Sequence, residues 1–314
     1  MMPPGKKGAR TSALSLLLCR THVPAPAQRT DMGQYSIIEI VSATQIVCVL
    51  LLVLTLSACA TPTERFMGWL QAHDLAHEIV VGDGFHHLLI ERNTDTVAAR
   101  LHIYIEGDGA PWLTPTTPAV DPSPVHPLAL ELALLDSGPA IYLGRPCYFG
   151  VHDPACGLSV WTDRRYSEEV VRSMAAALTN YLRAHKHRRA VIIGHSGGGS
   201  LALLLAERLP AVERVVTLSA NLDLAAWTRM HRYSPLTGSL DPAARAPLVR
   251  VRETHYVGGR DRNVPPSLVR AAVARRGAGE VIELPDYDHL CCWRERWPRV
   301  LAELRAADRQ PGAP

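Results

Sequence analysis

The sequence predicts an α/β fold, in which helices flank a mostly parallel central sheet. Two observations predict this class. Short segments typical of strands alternate with segments of helical periodicity from residue 65 to residue 308. One strand candidate, AVIIG at 190–194, is wholly apolar, as expected for a strand covered on both faces. Neither an internal repeat nor a linker interrupts the alternation, so residues 65–308 are predicted to form one domain and 309–314 a short tail.

The predicted elements follow one another in this order. The stretches HEIVVGD (77–83) and FHHLLIER (85–92) are strand candidates, and RLHIYIEG (100–107) and PAIYLGRP (139–146) are strands that end on glycine or proline. Residues 167–185 have helical periodicity, with Ser167 placed to cap the helix. Beyond the apolar strand, the remaining candidates are a helix at 197–209, strands at 212–223 and 249–261, a helix at 265–276, a strand at 279–289 and a helix at 295–308 that contains Pro298.

Residues 1–58 are interpreted as a leader outside this domain. They carry five basic and two acidic residues, whereas the rest of the chain carries 28 of each. Because nucleic acid attracts basic surfaces, the neutral body argues against a nucleic-acid partner. The apolar run IVCVLLLVLTLSAC at 46–59 is too short, and too close to a stop of small residues, for a convincing spanning helix. Translation from Met32 instead of Met1 remains open.

The apolar run ends Leu56-Ser57-Ala58-Cys59, which resembles the lipobox of bacterial lipoproteins. The resemblance implies cleavage before Cys59, lipidation of that residue and a lipid-anchored place in the bacterial cell envelope. Since Ala60 and not Asp follows, it further implies the outer membrane, facing the periplasm. Residues 59–64, in the polar stretch that follows, are then expected to be a tether. An uncleaved anchor helix that begins near Ile37 is the alternative.

Four cysteines remain in the body: Cys147, Cys156, Cys291 and Cys292. An even number in an exported chain predicts two disulfides, and three pairings are open. A bridge between the adjacent Cys291 and Cys292 departs from ordinary disulfide geometry. The rival is a metal site of His289 with these two cysteines, but it lacks the paired C-x-x-C spacing of structural zinc. No metal is therefore predicted.

The segment AVIIGHSGGGS at 190–200 places Ser196 in a G-x-S-x-G pattern. The pattern alone is not specific, because glycines also serve ordinary tight turns. Its surroundings decide the interpretation. An apolar strand precedes Ser196 and a helical segment follows it, which is the strand–turn–helix arrangement of a nucleophile elbow. Ser196 is therefore a candidate nucleophile, with a plain turn residue as the alternative.

Two later residues complete a pattern with Ser196. Asp261, in HYVGGRDRNVPP, ends a late strand, and His289, in LPDYDHLCCW, follows the last strand. The chain order Ser, Asp, His is that of α/β hydrolases. With these residues the chain resembles that superfamily over essentially the whole body, and in detail a group of exported bacterial hydrolases with IEGDG before PW. The resemblance implies an α/β-hydrolase fold, and residues 224–245 are too short for a large lid.

The three residues have distinct predicted roles. His289 would take the proton of the serine hydroxyl, and Asp261 would hold the imidazole tautomer. Asp223 also ends a strand and is the rival acid, whereas Asp286 and Asp288 are expected to serve their own loop. The backbone N–H of Gly197 is predicted as one oxyanion donor. The resemblance points to the N–H of Asp108 as the second, because Glu106-Gly107 stands where many relatives have His-Gly.

These residues predict a serine hydrolase, most directly an esterase that cleaves a small carboxylic ester through an acyl-enzyme and needs no cofactor. Two alternatives remain. One is a serine peptidase or amidase that uses the same triad, and the other is a non-catalytic envelope lipoprotein that kept the fold. Three tryptophans are candidates to line the pocket, although core packing is the commoner role: Trp112, Trp161 and Trp293.

Overall fold

The computed structural model describes residue 45 and residues 60–94 and 100–308. Ten strands lie in these ranges: β1 Glu78–Val81, β2 His86–Arg92, β3 Leu101–Ile105, β4 Trp112–Thr114, β5 Thr117–Pro118, β6 Ala140–Leu143, β7 Ala190–His195, β8 Val212–Leu218, β9 Arg252–Gly258 and β10 Glu280–Leu284. The α-helices described are α1 Pro62–Ala72, α2 Leu128–Leu134, α3 Leu158–Trp161, α4 Glu168–Ala184, α5 Gly197–Ala206, α6 Leu224–His231, α7 Pro266–Arg276 and α8 Trp293–Asp308.

Eight strands form one sheet in the order β1-β2-β6-β3-β7-β8-β9-β10. The pairs β1–β2 and β2–β6 are antiparallel. The other five pairs are parallel. The predicted class, a mostly parallel sheet flanked by helices, is confirmed. Six neighbouring strands of the sheet run in one direction: β6, β3, β7, β8, β9 and β10. The loops that follow these strands therefore meet along one edge of the sheet. The candidate residues lie in those loops.

The centre of the sheet is its most buried part. Every residue of β3, β6 and β7 is buried, which explains why their sequences are apolar runs without alternation. Every residue of α5 is buried as well. Its close packing requires glycine, since a Cβ on Gly199 would collide with the side chain of Ala220, and one on Gly198 with the backbone of β3. The glycine-rich start of α5 therefore lets this helix lie directly against the sheet.

Several elements were not predicted. Residues 59–64 were expected to be a tether. Their described part instead contains the beginning of helix α1. Thr61 caps the helix through a capping box with Glu64, and Pro62 is its first residue. Helix α1 thus begins inside the segment predicted as a tether, because Thr-Pro-Thr-Glu carries the signals of a helix start. Helices α2, α3 and α6 and the β4–β5 hairpin were also missed. They are short, and tertiary contacts decide such elements more than local periodicity does.

Between β8 and β9 the chain forms α6 and one short 3-10 turn, Pro242–Ala244, so this segment contains no large lid, as predicted. Within the described ranges, no helix is long and apolar enough to cross a membrane. Apart from residue 45, the predicted leader lies outside the described residues, as do the lipidation candidate Cys59 and the tail 309–314.

Candidate active site

Ser196 lies at a sharp turn between β7 and α5. Its backbone has φ of 51° and ψ of −124°, a conformation that few residues other than glycine adopt. Its N–H donates to the carbonyl of Leu218, at the end of the neighbouring strand β8. A Cβ on Gly194 would collide with the backbone of Gly198, so the strand and the helix approach too closely for a side chain there. The predicted strand–turn–helix elbow is therefore present.

His289 joins Ser196 to Asp261 through its two ring nitrogens. The Nε2 atom lies 3.1 Å from Ser196 Oγ, and Nδ1 lies 2.8 Å from Asp261 Oδ2. Because a carboxylate only accepts, Nδ1 carries the ring proton and Nε2 is left as the acceptor for the serine hydroxyl. The three residues thus have the geometry of a nucleophile, a base and an orienting acid.

Asp261 is buried, and its surroundings stabilise the ionised form of its carboxyl group. Burial pushes its pKa upward, but hydrogen bonds from His289 and from the backbone N–H of Val264 outweigh burial and hold the pKa below its usual range. Its Oδ1 accepts from the N–H groups of Asn263 and Val264, each at 2.8 Å. An ionised acid in this place stabilises the imidazolium that forms when His289 takes a proton.

The loops that carry Asp261 and His289 lie side by side. The N–H of Gly259 donates to the carbonyl of Leu284, and the N–H of Arg260 donates to that of Tyr287. A Cβ on Gly258 would meet the backbone of Tyr287. Gly258 at the end of β9 and Gly259 just after it therefore let the acid loop approach the histidine loop closely enough for the 2.8 Å contact.

The other carboxylates near these loops have different partners. Asp223 caps α6 by accepting from the N–H of Ala226, and its other oxygen lies 2.7 Å from Arg275. Asp286 pairs with Arg260, and Asp288 accepts from backbone N–H groups in its own loop. Asp261 alone among these four acids is bonded to His289, as the sequence argument favoured.

The loop after β3 packs directly on the nucleophile. A Cβ on Gly107 would lie 3.3 Å from Ser196 Cβ, so the loop that includes Asp108 borders the elbow. The side chain of Glu106 fixes this loop by accepting from the N–H of Ala129 at 2.9 Å. The two residues predicted as oxyanion donors, Gly197 and Asp108, are thus neighbours. A Cβ on Gly197 would meet both the Asp108 carboxylate and the Tyr166 hydroxyl.

A buried charged cluster beside the elbow was missed by the sequence argument. Asp108 Oδ1 accepts from Arg145 and from the Tyr166 hydroxyl, each at 2.5 Å, and Oδ2 accepts from Arg165 at 2.8 Å. Burial acts to raise the pKa of Asp108, but the charges of Arg165 and Arg145 prevail and lower it to about 2. Arg145 and Arg165 compensate the charge of Asp108, and a second buried carboxylate, that of Glu106, lies in the same loop.

One sequence signal pointed to this cluster. Arg145 directly follows the glycine that ends the β6 strand segment, so it belongs to the same sheet edge as Asp108. Arg165 and Tyr166 lie just before the cap of α4 and had no such signal. Burying two arginines is costly unless they are paired, and their common partner Asp108 meets that requirement.

The second residue of the G-H-S-G pattern also contributes. His195 is buried, and its Nε2 lies 3.0 Å from the carbonyl oxygen of His289. Because a carbonyl only accepts, His195 donates from Nε2 and so fixes the backbone of the histidine loop. Its Nδ1 faces Glu106 at 3.4 Å. His195 therefore links the loop after β3, the elbow and the loop after β10.

An open cavity of about 970 Å³ lies over the acid and histidine loops. Its walls come from residues 259–263 and 288–291, including Asp261 and His289. A second cavity of about 410 Å³ lies between Leu290 and the start of α2. Of the three tryptophans considered for the pocket, Trp161 and Trp293 are buried in the core and Trp112 is exposed on the β4–β5 hairpin.

The four body cysteines form two disulfides. Cys147 bonds Cys156, with Cα atoms 5.6 Å apart, and Cys291 bonds its neighbour Cys292. Neither bridge joins the loop after β6 to the histidine loop. Both ring nitrogens of His289 have partners in the site, Asp261 and Ser196. Among the described residues, no group of three or more potential ligands is arranged to hold a metal.

The sheet order defines an α/β-hydrolase fold. Ser196, His289 and Asp261 are in contact at the edge where its parallel strands end. No protein-family model matches the sequence, and no curated protein matches it. Among solved structures, an esterase from Pyrococcus furiosus is similar, with a TM-score of 0.55 and 13% identity over 79% of this chain and 94% of that one. A thermophilic esterase from Thermogutta terrifontis has a TM-score of 0.51 and 14% identity over 74% of this chain and 98% of that one.

Proposed function

We propose that this protein is a serine hydrolase that cleaves a small carboxylic ester through an acyl-enzyme. The observation that carries the proposal is the chain of hydrogen bonds from Ser196 Oγ through His289 to Asp261, at 3.1 and 2.8 Å. A serine hydroxyl becomes a nucleophile when a base removes its proton as it attacks. The two similar structures are esterases, which favours an ester over other acyl compounds.

The first half of the reaction follows from this geometry. Ser196 Oγ attacks the ester carbonyl while its proton moves to His289 Nε2, and the ionised Asp261 stabilises the resulting imidazolium. The carbonyl oxygen becomes negatively charged and needs donors. The backbone N–H groups of Gly197 and Asp108 are proposed to supply them.

The second half repeats these steps with water. His289 gives its proton to the leaving alcohol, which departs and leaves Ser196 acylated. Water then takes the place of the alcohol, loses a proton to His289 Nε2 and releases the acid. Every step uses side chains and backbone groups of this chain.

The direct test is labelling with a fluorophosphonate, which reacts with activated serines. We expect the wild-type protein to be labelled and Ser196→Ala to remain unlabelled, because the probe bonds to Ser196 Oγ. An unlabelled wild-type protein would favour the non-catalytic alternative. Esters and peptide amides that share one acyl group then separate an esterase from a peptidase or amidase.

We further propose that the enzyme is anchored by a lipid on Cys59 in a bacterial envelope. The start of α1 is fixed to the domain, since the N–H of Thr63 donates to Asp121 at 2.7 Å and its hydroxyl lies 3.0 Å from Ser123 Oγ. Cys59 lies four positions before Thr63, a reach of at most about 14 Å. A lipid on Cys59 would therefore hold the segment after β5 close to the membrane, and Pro122 of that segment accepts from the N–H of Ala110, which follows β3.

A further inference from the structure

A fourth side chain reaches the proton-transfer atom of the candidate triad. Asn263 Nδ2 lies 3.1 Å from His289 Nε2, the same distance that separates Nε2 from Ser196 Oγ. In the resting molecule two donors therefore share one acceptor nitrogen. The proposed mechanism requires only the serine hydroxyl at Nε2. It therefore does not explain the contact between Nε2 and Asn263.

The backbone of Asn263 is held on both sides. Its N–H donates to Asp261 Oδ1 at 2.8 Å. Its carbonyl accepts from the indole of Trp227 at 3.1 Å and from His231 Nε2 at 2.8 Å. These bonds connect the residue to α6 and to the triad acid. The side-chain amide is therefore aimed at His289 by a fixed backbone, and these backbone bonds do not depend on the amide.

Proton transfer removes the partner of this amide. When Ser196 attacks, its proton moves to His289 Nε2, which then has no lone pair and becomes a donor. The Asn263 N–H group is left facing a donor. The next acceptor to come within reach is the leaving-group oxygen, because that oxygen must approach Nε2 to receive the proton. A donor 3.1 Å from Nε2 is close enough to contact the same oxygen.

We propose that Asn263 is a catalytic residue that donates a hydrogen bond from Nδ2 to the leaving-group oxygen of the ester. The inference rests on the proposed serine-esterase function. As the bond from the carbonyl carbon to this oxygen breaks, its electron pair stays on the oxygen, and His289 Nε2 supplies the proton that completes the alcohol. Because the amide is bonded to Nε2 in the resting state, its bond to the substrate forms only as the reaction proceeds. Interactions of this kind lower the barrier and not merely KM.

The proposal predicts which substrates depend on Asn263. An alkyl alcohol is a poor leaving group and carries more negative charge in the transition state than a nitrophenol does. We expect Asn263→Ala to lower kcat/KM about 10- to 100-fold for an alkyl ester, somewhat less than the loss of an oxyanion-hole donor. For a nitrophenyl ester of the same acid, we expect a change of less than about threefold, because this leaving group needs little stabilisation. The parameter kcat/KM is the right readout, because it depends on the steps up to acylation. It does not depend on hydrolysis of the acyl-enzyme, which is the same for both esters.

Two further variants make the test decisive. Ser267→Ala alters an exposed side chain of the following helix α7, outside the cavity wall, and should leave the ratio of the two kcat/KM values unchanged. Asn263→Leu keeps the approximate size of the side chain but has neither a donor nor a charge, so it should show the same selective loss and provides the test if the alanine variant does not fold. Equal losses for both esters, or no loss, would overturn the role of Asn263. Failure of the wild-type protein to react with the fluorophosphonate would instead overturn the proposed function.

Discussion

Asp261 and Asp223 are two buried aspartates on the same sheet edge, yet only one faces His289. We predict that Asp261→Asn lowers ester hydrolysis on the order of 10⁴-fold, because the amide favours the wrong imidazole tautomer. Asp223→Asn should have a much smaller effect, since Asp223 caps α6 and pairs with Arg275. The measurement is kcat/KM of both variants on one ester, with circular dichroism to establish that each is folded. A larger loss in Asp223→Asn would show that the acid is misassigned.

Single residues also show how much of the site the sequence could predict. Ser196, Asp261 and His289 were found because each follows a recognisable strand at the edge where parallel strands end. Arg165, Tyr166 and Asn263 were not found. Their positions depend on how loops fold back over the elbow, and neither spacing nor residue type encodes that path.

At the level of elements, β2 and α4 are joined by a buried histidine. His87 Nδ1 lies 3.0 Å from the carbonyl of Gly144, and Nε2 lies 2.8 Å from Ser173 Oγ on α4. Burial lowers the pKa of His87 from 6.5 to about 4. The unfolded chain therefore binds a proton at higher pH than the folded protein does. Stability from this group is present above pH 6.5 and is lost as the pH falls towards about 4.

We predict that the free energy of unfolding falls by about 3 kcal/mol from this group as the pH drops through that window. Unfolding in urea at several pH values between 7 and 4 measures the effect. His87→Gln cannot titrate, so it should show a shallower decline across the same window, even if it is less stable throughout. An identical pH dependence in the variant would mean that His87 does not control this loss.

The loop after β6 is closed by the Cys147–Cys156 disulfide, nine residues apart in sequence. We predict that replacing both cysteines with serine lowers the free energy of unfolding by about 2–4 kcal/mol, because the open loop gains conformational freedom in the unfolded chain. The double serine variant of Cys291 and Cys292 is the control. Adjacent residues close almost no loop, so its loss should be smaller. Denaturant unfolding compares the two, and four free thiols in the non-reduced wild-type protein would contradict the first prediction.

At the scale of the whole molecule, the charges are distributed unevenly along the chain. The body from Cys59 onward is neutral, and the excess of three positive charges lies before it. We predict that Cys59→Ser releases the protein from the membrane fraction or blocks its processing, because the lipid would have no acceptor. Fractionation and the mass of the mature chain measure this. Unchanged size and unchanged membrane attachment would indicate a spanning anchor instead.

The sequence by itself determined the fold class, the order of most strands and helices and the three candidate residues whose side chains the structure brings into contact. These features depend on local patterns: apolar runs for buried parallel strands, helical periodicity, and a serine between strand and helix. The start of α1 at Pro62 was within reach of the same reasoning, since Thr61 and Glu64 form a capping box.

Only the tertiary structure decided which groups meet across the loops. It paired Cys147 with Cys156, directed Asp223 to Arg275, enclosed Asp108 between two arginines and placed Asn263 beside His289. The physical reason is that side-chain contacts between distant loops depend on how the loops pack, and a buried charge or amide takes whichever partner that packing brings within about 3 Å.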